Sequence, residues 1–143
     1  MKYFFISYLF ILMTINCGTF QDKETIEFVK YETFTRGSTT NISVHPNSIQ
    51  VKKAGMQTSE YTEEISVKQW KEVLAAMEDI EISSIGRLET STEDSSRDAA
   101  AQAVLSIKKN DSVYITSQFD DGNAPKAVKP LVEAILRLAE NVE

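Results

Sequence analysis

Three features of this 143-residue sequence predict an α+β domain, an antiparallel sheet of about five or six strands with two helices packed on one face. Short runs of branched and aromatic residues alternate with polar ones from Thr25 to Ile65, and again from Ala103 to Phe119, with turn signals between them. Two other segments, one opening at Ser66 and one near Pro130, repeat their apolar residues at helical spacing. The strand runs follow one another with turns between them, the pattern of an antiparallel meander, which with the two helices makes one α+β domain.

The N-terminus carries the address. Lys2 is followed by the mostly apolar run Tyr3 to Ile15, the length of a signal-peptide hydrophobic region. Roughly 20 apolar residues are needed to cross a bilayer core, so the run is short for a permanent anchor. Cys17 is the only cysteine, and it stands where this leader gives way to polar sequence. The pattern reads as a lipoprotein signal, with residues 1–16 removed and Cys17 becoming the lipidated first residue. Ile15 suits the lipobox, whereas Thr14 and Asn16 depart from its strict form; an ordinary secretory leader or a short uncleaved anchor are the alternatives. Residues 17–24 are then a tether and 25–143 a single domain, since about 127 mature residues suffice for one core and not for two. With Cys17 committed to lipid, no disulfide is available and packing alone must hold the fold.

From Thr25 the elements follow in order. Ile26, Phe28, Val29, Tyr31 and Phe34 suit a strand, and the alternation slips between Phe28 and Val29, the mark of a bulge. Arg36-Gly37-Ser38 is a turn, Ile42 and Val44 alternate with polar neighbours, and His45-Pro46-Asn47-Ser48 turns again before Ile49 and Val51. Gln57 to Ile65 reads as a polar edge strand closing a meander. Ser66 and Gln69 have capping-box spacing, and Val67, Trp70, Val73, Leu74 and Met77 form an apolar stripe that assigns Trp70 to the core. Leu88 to Asp98 reads as a polar surface loop. Ala103, Leu105 and Ile107 alternate on a strand, Asn110-Asp111 turns it, and Val113, Ile115 and Phe119 return in a hairpin. A short turn over Pro125 to Lys129 leads to a helix from about Pro130 to Val142, because proline is tolerated only in a first helical turn.

Chemistry-bearing residues are sparse. The single histidine, His45, lies in a turn and excludes any mechanism that needs two imidazoles; no Gly-rich phosphate loop is present. Fifteen basic residues against twenty-one acidic ones give a formal charge of −6, and loss of Lys2 with the leader makes it about −7. That balance argues against nucleic acid as a partner and against a polybasic grip on anionic lipid. Asp120 and Asp121 lie in the polar run Ser117 to Asn123, where paired carboxylates could ligate a hard cation. The spacing is not that of an EF-hand, and a strand-to-helix turn accounts for the Asp, Gly and Asn equally well, so no metal, cofactor or catalytic residue is assigned. Arg97 and Asp98 end the polar loop as a structural ion pair or a clamp. With Arg36, Asp120 and Asp121 they make a candidate binding surface at one end of the sheet.

The stretch Arg97-Asp98-Ala99-Ala100 before Ala103-x-Leu105-x-Ile107, with Ser117-x-Phe119-Asp120-x-Gly122-x-x-Pro125 downstream, resembles a group of small Bacteroidetes-type lipoproteins with no assigned activity. The Thr35-Arg36-Gly37 turn and the Ser66-to-Met77 helix are similar too. That group has a second proline where this chain has Ala124 and a histidine where it has Asp121, so no catalytic residue carries over. The resemblance implies envelope localisation and fold. The resulting expectation is a non-enzymatic, lipid-anchored domain on the periplasmic face or cell surface that binds a protein or an envelope component. The alternatives are a small hydrolase using Asp120, Asp121 or His45, and a small-ligand carrier.

Overall fold

The computed structural model describes residues 25–90 and 101–142. Cys17, the leader and the tether lie outside these residues, as do Arg97 and Asp98. Four strands form a meander: β1 (Ile26–Phe34), β2 (Thr39–His45), β3 (Ser48–Ala54) and β4 (Ser59–Glu64). Helix α1 (Val67–Ala75) and a 3-10 helix (Ile82–Arg87) follow. The chain then forms β5 (Gln102–Lys109), β6 (Ser112–Ile115), the two-residue β7 (Phe119–Asp120) and helix α2 (Lys129–Ala139). The sheet runs β4-β3-β2-β1-β5-β6, with β7 also on β5, and its pairings are antiparallel. The fold is α+β, with one strand more than the upper sequence expectation because the last hairpin strand is split in two.

The register explains which face is buried. Val29 pairs with Val44 and Ile107, Tyr31 with Ile42 and Leu105, and Val44 and Ile42 with Ile49 and Val51. Side chains of directly opposed residues lie on the same face of a sheet, so all of these point to one side. There they join Leu131, Ile135 and Val73 of the helices in a single core. Helix α2 packs over β2 and β3, and α1 packs beside α2.

Two irregularities keep every strand in phase with that core. In β1 the register shifts between Ile26 and Phe28, one residue earlier than the slip visible in the sequence. The extra residue, Glu27, leaves Ile26 against the same core as Val29 and Tyr31, and its carboxylate meets Lys108 at 2.9 Å. The second break separates β6 from β7. Ile115 pairs with Ser106 but Phe119 pairs with Ala103, so one residue more is used on the returning strand than on β5. Without it Phe119 would share the face of Val113 and Ile115; with it Phe119 is fully buried while those two stay half exposed. Val113, Ile115 and Phe119 do return in a hairpin, but not on one face. Thr116 removes the cost of the break: its N–H bonds the Leu105 carbonyl at 3.0 Å, and its hydroxyl accepts the Leu105 N–H at 3.1 Å. A buried phenylalanine contributes about 1.5–3 kcal/mol, more than the roughly 1 kcal/mol of a single ladder bond.

The helix signals act as expected, with shorter limits. Ser66 caps α1 in a full capping box: its hydroxyl accepts from Gln69 N–H, and the Gln69 side chain accepts from Ser66 N–H at 2.8 Å. Trp70 and Leu74 pack against the core, and Met77 is buried in the turn beyond the helix. Val67 is 69% exposed, so the stripe begins one turn later than its spacing implied. Pro130 lies in the first turn of α2, and Val142 is buried just past its end. The 3-10 helix has no counterpart in the sequence expectation. It lies against β6, and at Gly86 a Cβ would stand 3.1 Å from the Ile115 carbonyl, so the backbones approach closely there.

Thr116→Val should destabilise the domain by about 1–3 kcal/mol in chemical denaturation, the range for a buried N–H left without its acceptor. Ser117→Ala, which removes only an exposed hydrogen bond to the Gly86 carbonyl, should change stability by less than about 0.5 kcal/mol.

Candidate functional site

Because the helices cover one face, the other half of each strand's alternation makes a second one, on which no helix among the described residues packs. Across the sheet this face carries the row Ser106, Lys30, Ser43, Gln50 and Thr62, and beside it Glu32, Asn41, Lys52 and Glu60. Phe28 and His45 close one end, their rings tilted against each other with centroids 5.7 Å apart. Between them the surface sinks into a depression of about 340 Å³, floored by Asn41 and Ser43 and walled by Lys30, Lys52 and the Phe28–His45 pair. Its size falls within the range of small-ligand sites. Lys30 meets Glu32 at 2.6 Å, and Lys52 meets Glu60 at 3.2 Å, so the cations on this face are balanced locally. Gln50 donates to Glu60 at 3.0 Å. The Asn41 amide oxygen is buried with no hydrogen-bond partner among the described residues.

Sequence reasoning missed this face. Phe28 reads as one more strand aromatic and His45 as a turn residue; the usable signal was the polar half of the alternation at 30, 32, 41, 43, 50 and 52. Which of those positions meet depends on a register that spacing alone does not give.

The sequence-derived candidates lie elsewhere. Arg36 is exposed in the β1–β2 turn. Phe34 pairs with Gln102, which pairs with Asp120, so Arg36 and Asp120 belong to the same end of the sheet. Asp120 is only 2% exposed. Asp121 is exposed, and its carboxylate accepts a 2.6 Å hydrogen bond from the Tyr31 hydroxyl. The segment makes a strand-to-helix turn: Gly122 adopts φ of 84°, where a side chain is disfavoured, and the Pro125 carbonyl accepts from Val128. Cys17, Arg97 and Asp98 are outside the described residues. Among the described residues no three His, Cys, Asp or Glu side chains gather as metal ligands would, and no helix is long and apolar enough to cross a membrane.

Tyr31 links the core to this corner. Its ring packs against Phe119, with centroids 6.3 Å apart, while its hydroxyl reaches the Asp121 carboxylate. Burial pushes the phenol well above its ordinary value of 10.0; the hydrogen bond to Asp121 and that carboxylate's charge push the same way, and a backbone hydrogen bond from Gly122 opposes them.

A second cleft, about 400 Å³, lies between α1 and α2. Val73 and Leu138 line it alongside Glu72 and Arg137. No family model, curated protein or solved structure matches the chain.

Tyr31→Phe keeps the ring and removes the bond to Asp121, and should cost about 1.5–3 kcal/mol at neutral pH, the range for a hydrogen bond to a charged group. Because the folded-state pKa is raised, the folded protein holds the phenolic proton at pH values where the unfolded chain has released it. The contribution is complete below pH 10.0 and is lost as pH rises beyond it. Denaturation series at pH 8 to 11.5 should therefore show wild type losing stability above about pH 10 more steeply than Tyr31→Phe.

Proposed function

We propose that this chain is a non-enzymatic binding domain of the bacterial envelope, held to the membrane by lipid on Cys17 and using its uncovered sheet face to take a partner. On this reading it joins the Bacteroidetes-type lipoproteins it resembles. One observation carries the assignment of the surface. The helices bury one side of the sheet, whereas the other side keeps a depression lined by hydrogen-bonding groups and an aromatic pair. The Arg36 end is the weaker choice, because Asp120 is buried and Asp121 is engaged by Tyr31.

The tether suits such a role. Eight residues, 17–24, can span at most roughly 30 Å when fully extended, which keeps the start of β1 within that distance of the lipid. Thr25 is fastened to the β5–β6 hairpin, since Asn110 accepts its N–H at 2.9 Å and donates to its carbonyl at 2.9 Å. The Phe28–His45 end of the open face is therefore the end nearer the tether. Stable anchoring takes more than one acyl chain, and a processed lipoprotein cysteine supplies it.

Photo-crosslinking in the producing cell tests both parts. A crosslinker at Gln50, on the open face, should yield a discrete adduct, whereas one at Glu140, on the helix side, should not. Cys17→Ala should release the protein from the membrane fraction. Adducts from Glu140 alone, or membrane retention unchanged by Cys17→Ala, would reverse the corresponding half of the proposal.

A further inference from the structure

We infer that the depression on the open sheet face is a saccharide site, and that its ligand is a neutral glycan whose ring lies over Phe28 and whose hydroxyls meet Asn41, Ser43 and the flanking lysines. The inference rests on the open face being the binding surface, and it names the chemistry of the ligand.

Charge decides against an anion first. Lys30 and Lys52 are each matched by a carboxylate, Glu32 and Glu60, and Lys108 is matched by Glu27. The chain as a whole is acidic. A phosphorylated or sulfated ligand in the depression would have to compete with Glu32 and Glu60 for the two lysines that line it.

Hydrogen-bond chemistry narrows the choice further. The buried Asn41 oxygen is an acceptor and requires a donor, because leaving such an atom unsatisfied is costly. Phosphate, sulfate and carboxylate groups only accept. A sugar hydroxyl both donates and accepts, so a single ligand group can donate to Asn41 and accept from Lys52, its register neighbour. The Asn41 oxygen is closed to solvent in this conformation, so a ligand hydroxyl reaches it only once Lys30 or Lys52, held by partly exposed ion pairs that contribute little, swings aside. Ser43 and Gln50, opposed in register, extend the same donor and acceptor pattern toward β4.

The aromatic pair supplies the remaining contact. The C–H bonds on one face of a pyranose ring carry partial positive charge and pack on the negative face of an aromatic ring. Phe28 is held by His45 at a tilt of 49° at the rim of the depression, where a sugar ring entering it would lie. The depression, about 340 Å³ and open to solvent, matches a short stretch of glycan laid across the strands.

The test uses the full lipidated protein, purified from its own membrane and reconstituted in nanodiscs. It is titrated with hexasaccharides of the cellulose, amylose, mannan and chitin types, with polygalacturonate and heparin as acidic comparators. At least one neutral hexasaccharide should bind. Phe28→Ala, and independently Ser43→Tyr, which fills the depression and keeps the Phe28 ring, should each weaken that binding by about tenfold or more. Arg137→Ala, in the helix cleft, should leave it unchanged, and thermal melts confirm that each variant is folded. Binding of the acidic polymers alone, no neutral binding at millimolar concentration, or binding indifferent to both substitutions would overturn the inference. A protein adduct from Gln50 without glycan binding would overturn the saccharide assignment and leave the binding face standing; absence of both would remove the two together.

Discussion

A twisted antiparallel sheet has two faces, and this chain has apolar side chains enough to cover only one of them. Val29, Tyr31, Ile42, Val44, Ile49, Val51, Leu105 and Ile107 must all face the helices at once for a single core to form. Because side chains alternate with period two, a one-residue slip in any strand would turn its apolar set outward. The fold therefore depends on parity, and the Glu27 bulge and the Thr116 break are the devices that preserve it. Each spends a regular ladder position to keep a large side chain inside, and each has a local compensation: the Glu27–Lys108 ion pair at 2.9 Å in one case and the Thr116 hydroxyl in the other. Of the two, the buried hydroxyl has the greater energetic weight, since exposed ion pairs contribute little.

The same constraint creates the candidate site. Once the helices occupy one side, the polar half of every alternation is collected on the other, and the register decides which polar groups become neighbours. Lys30 lies between Ser43 and Ser106, and Asn41 between Glu32 and Lys52, only because β2, β1 and β5 pair as they do. The edges of the sheet show the matching precaution. On β4, Glu60, Glu63 and Glu64 discourage another strand from adding, and on β6 the 3-10 helix approaches the backbone at Gly86. Among the described residues the face, and not an edge, is thus the surface left open.

Tyr31 belongs to both systems. Its ring fills the core beside Phe119, and its hydroxyl emerges at the β7–α2 turn to hold Asp121. This accounts for Asp121 as a positioning residue of that turn. Asp120, one residue earlier, alternates to the opposite face of the sheet from Phe119, opposite Gln102, and is buried there. Adjacent carboxylates in a sequence suggest a shared site, but here they face different surroundings and belong to different structural tasks.

The local elements were legible in the residues themselves. The capping box at Ser66, proline in the first turn of α2, the Asn110 turn at φ of 52° and the alternation of β2, β3 and β5 are all short-range physics, decided within a few residues. The α+β class followed from how those elements are grouped. The 3-10 helix, the exposure of Val67 and the opposite facing of Ile115 and Phe119 were not legible, because each depends on what packs alongside. The polar face was the least legible of all. The residues lining its depression come from three strands and share no motif, and Phe28 and His45 meet only across β1 and β2. Composition and local pattern determined one acidic, disulfide-free domain of strands and two helices. Strand register, set by long-range burial of one face, decided which polar side chains stand together on the other.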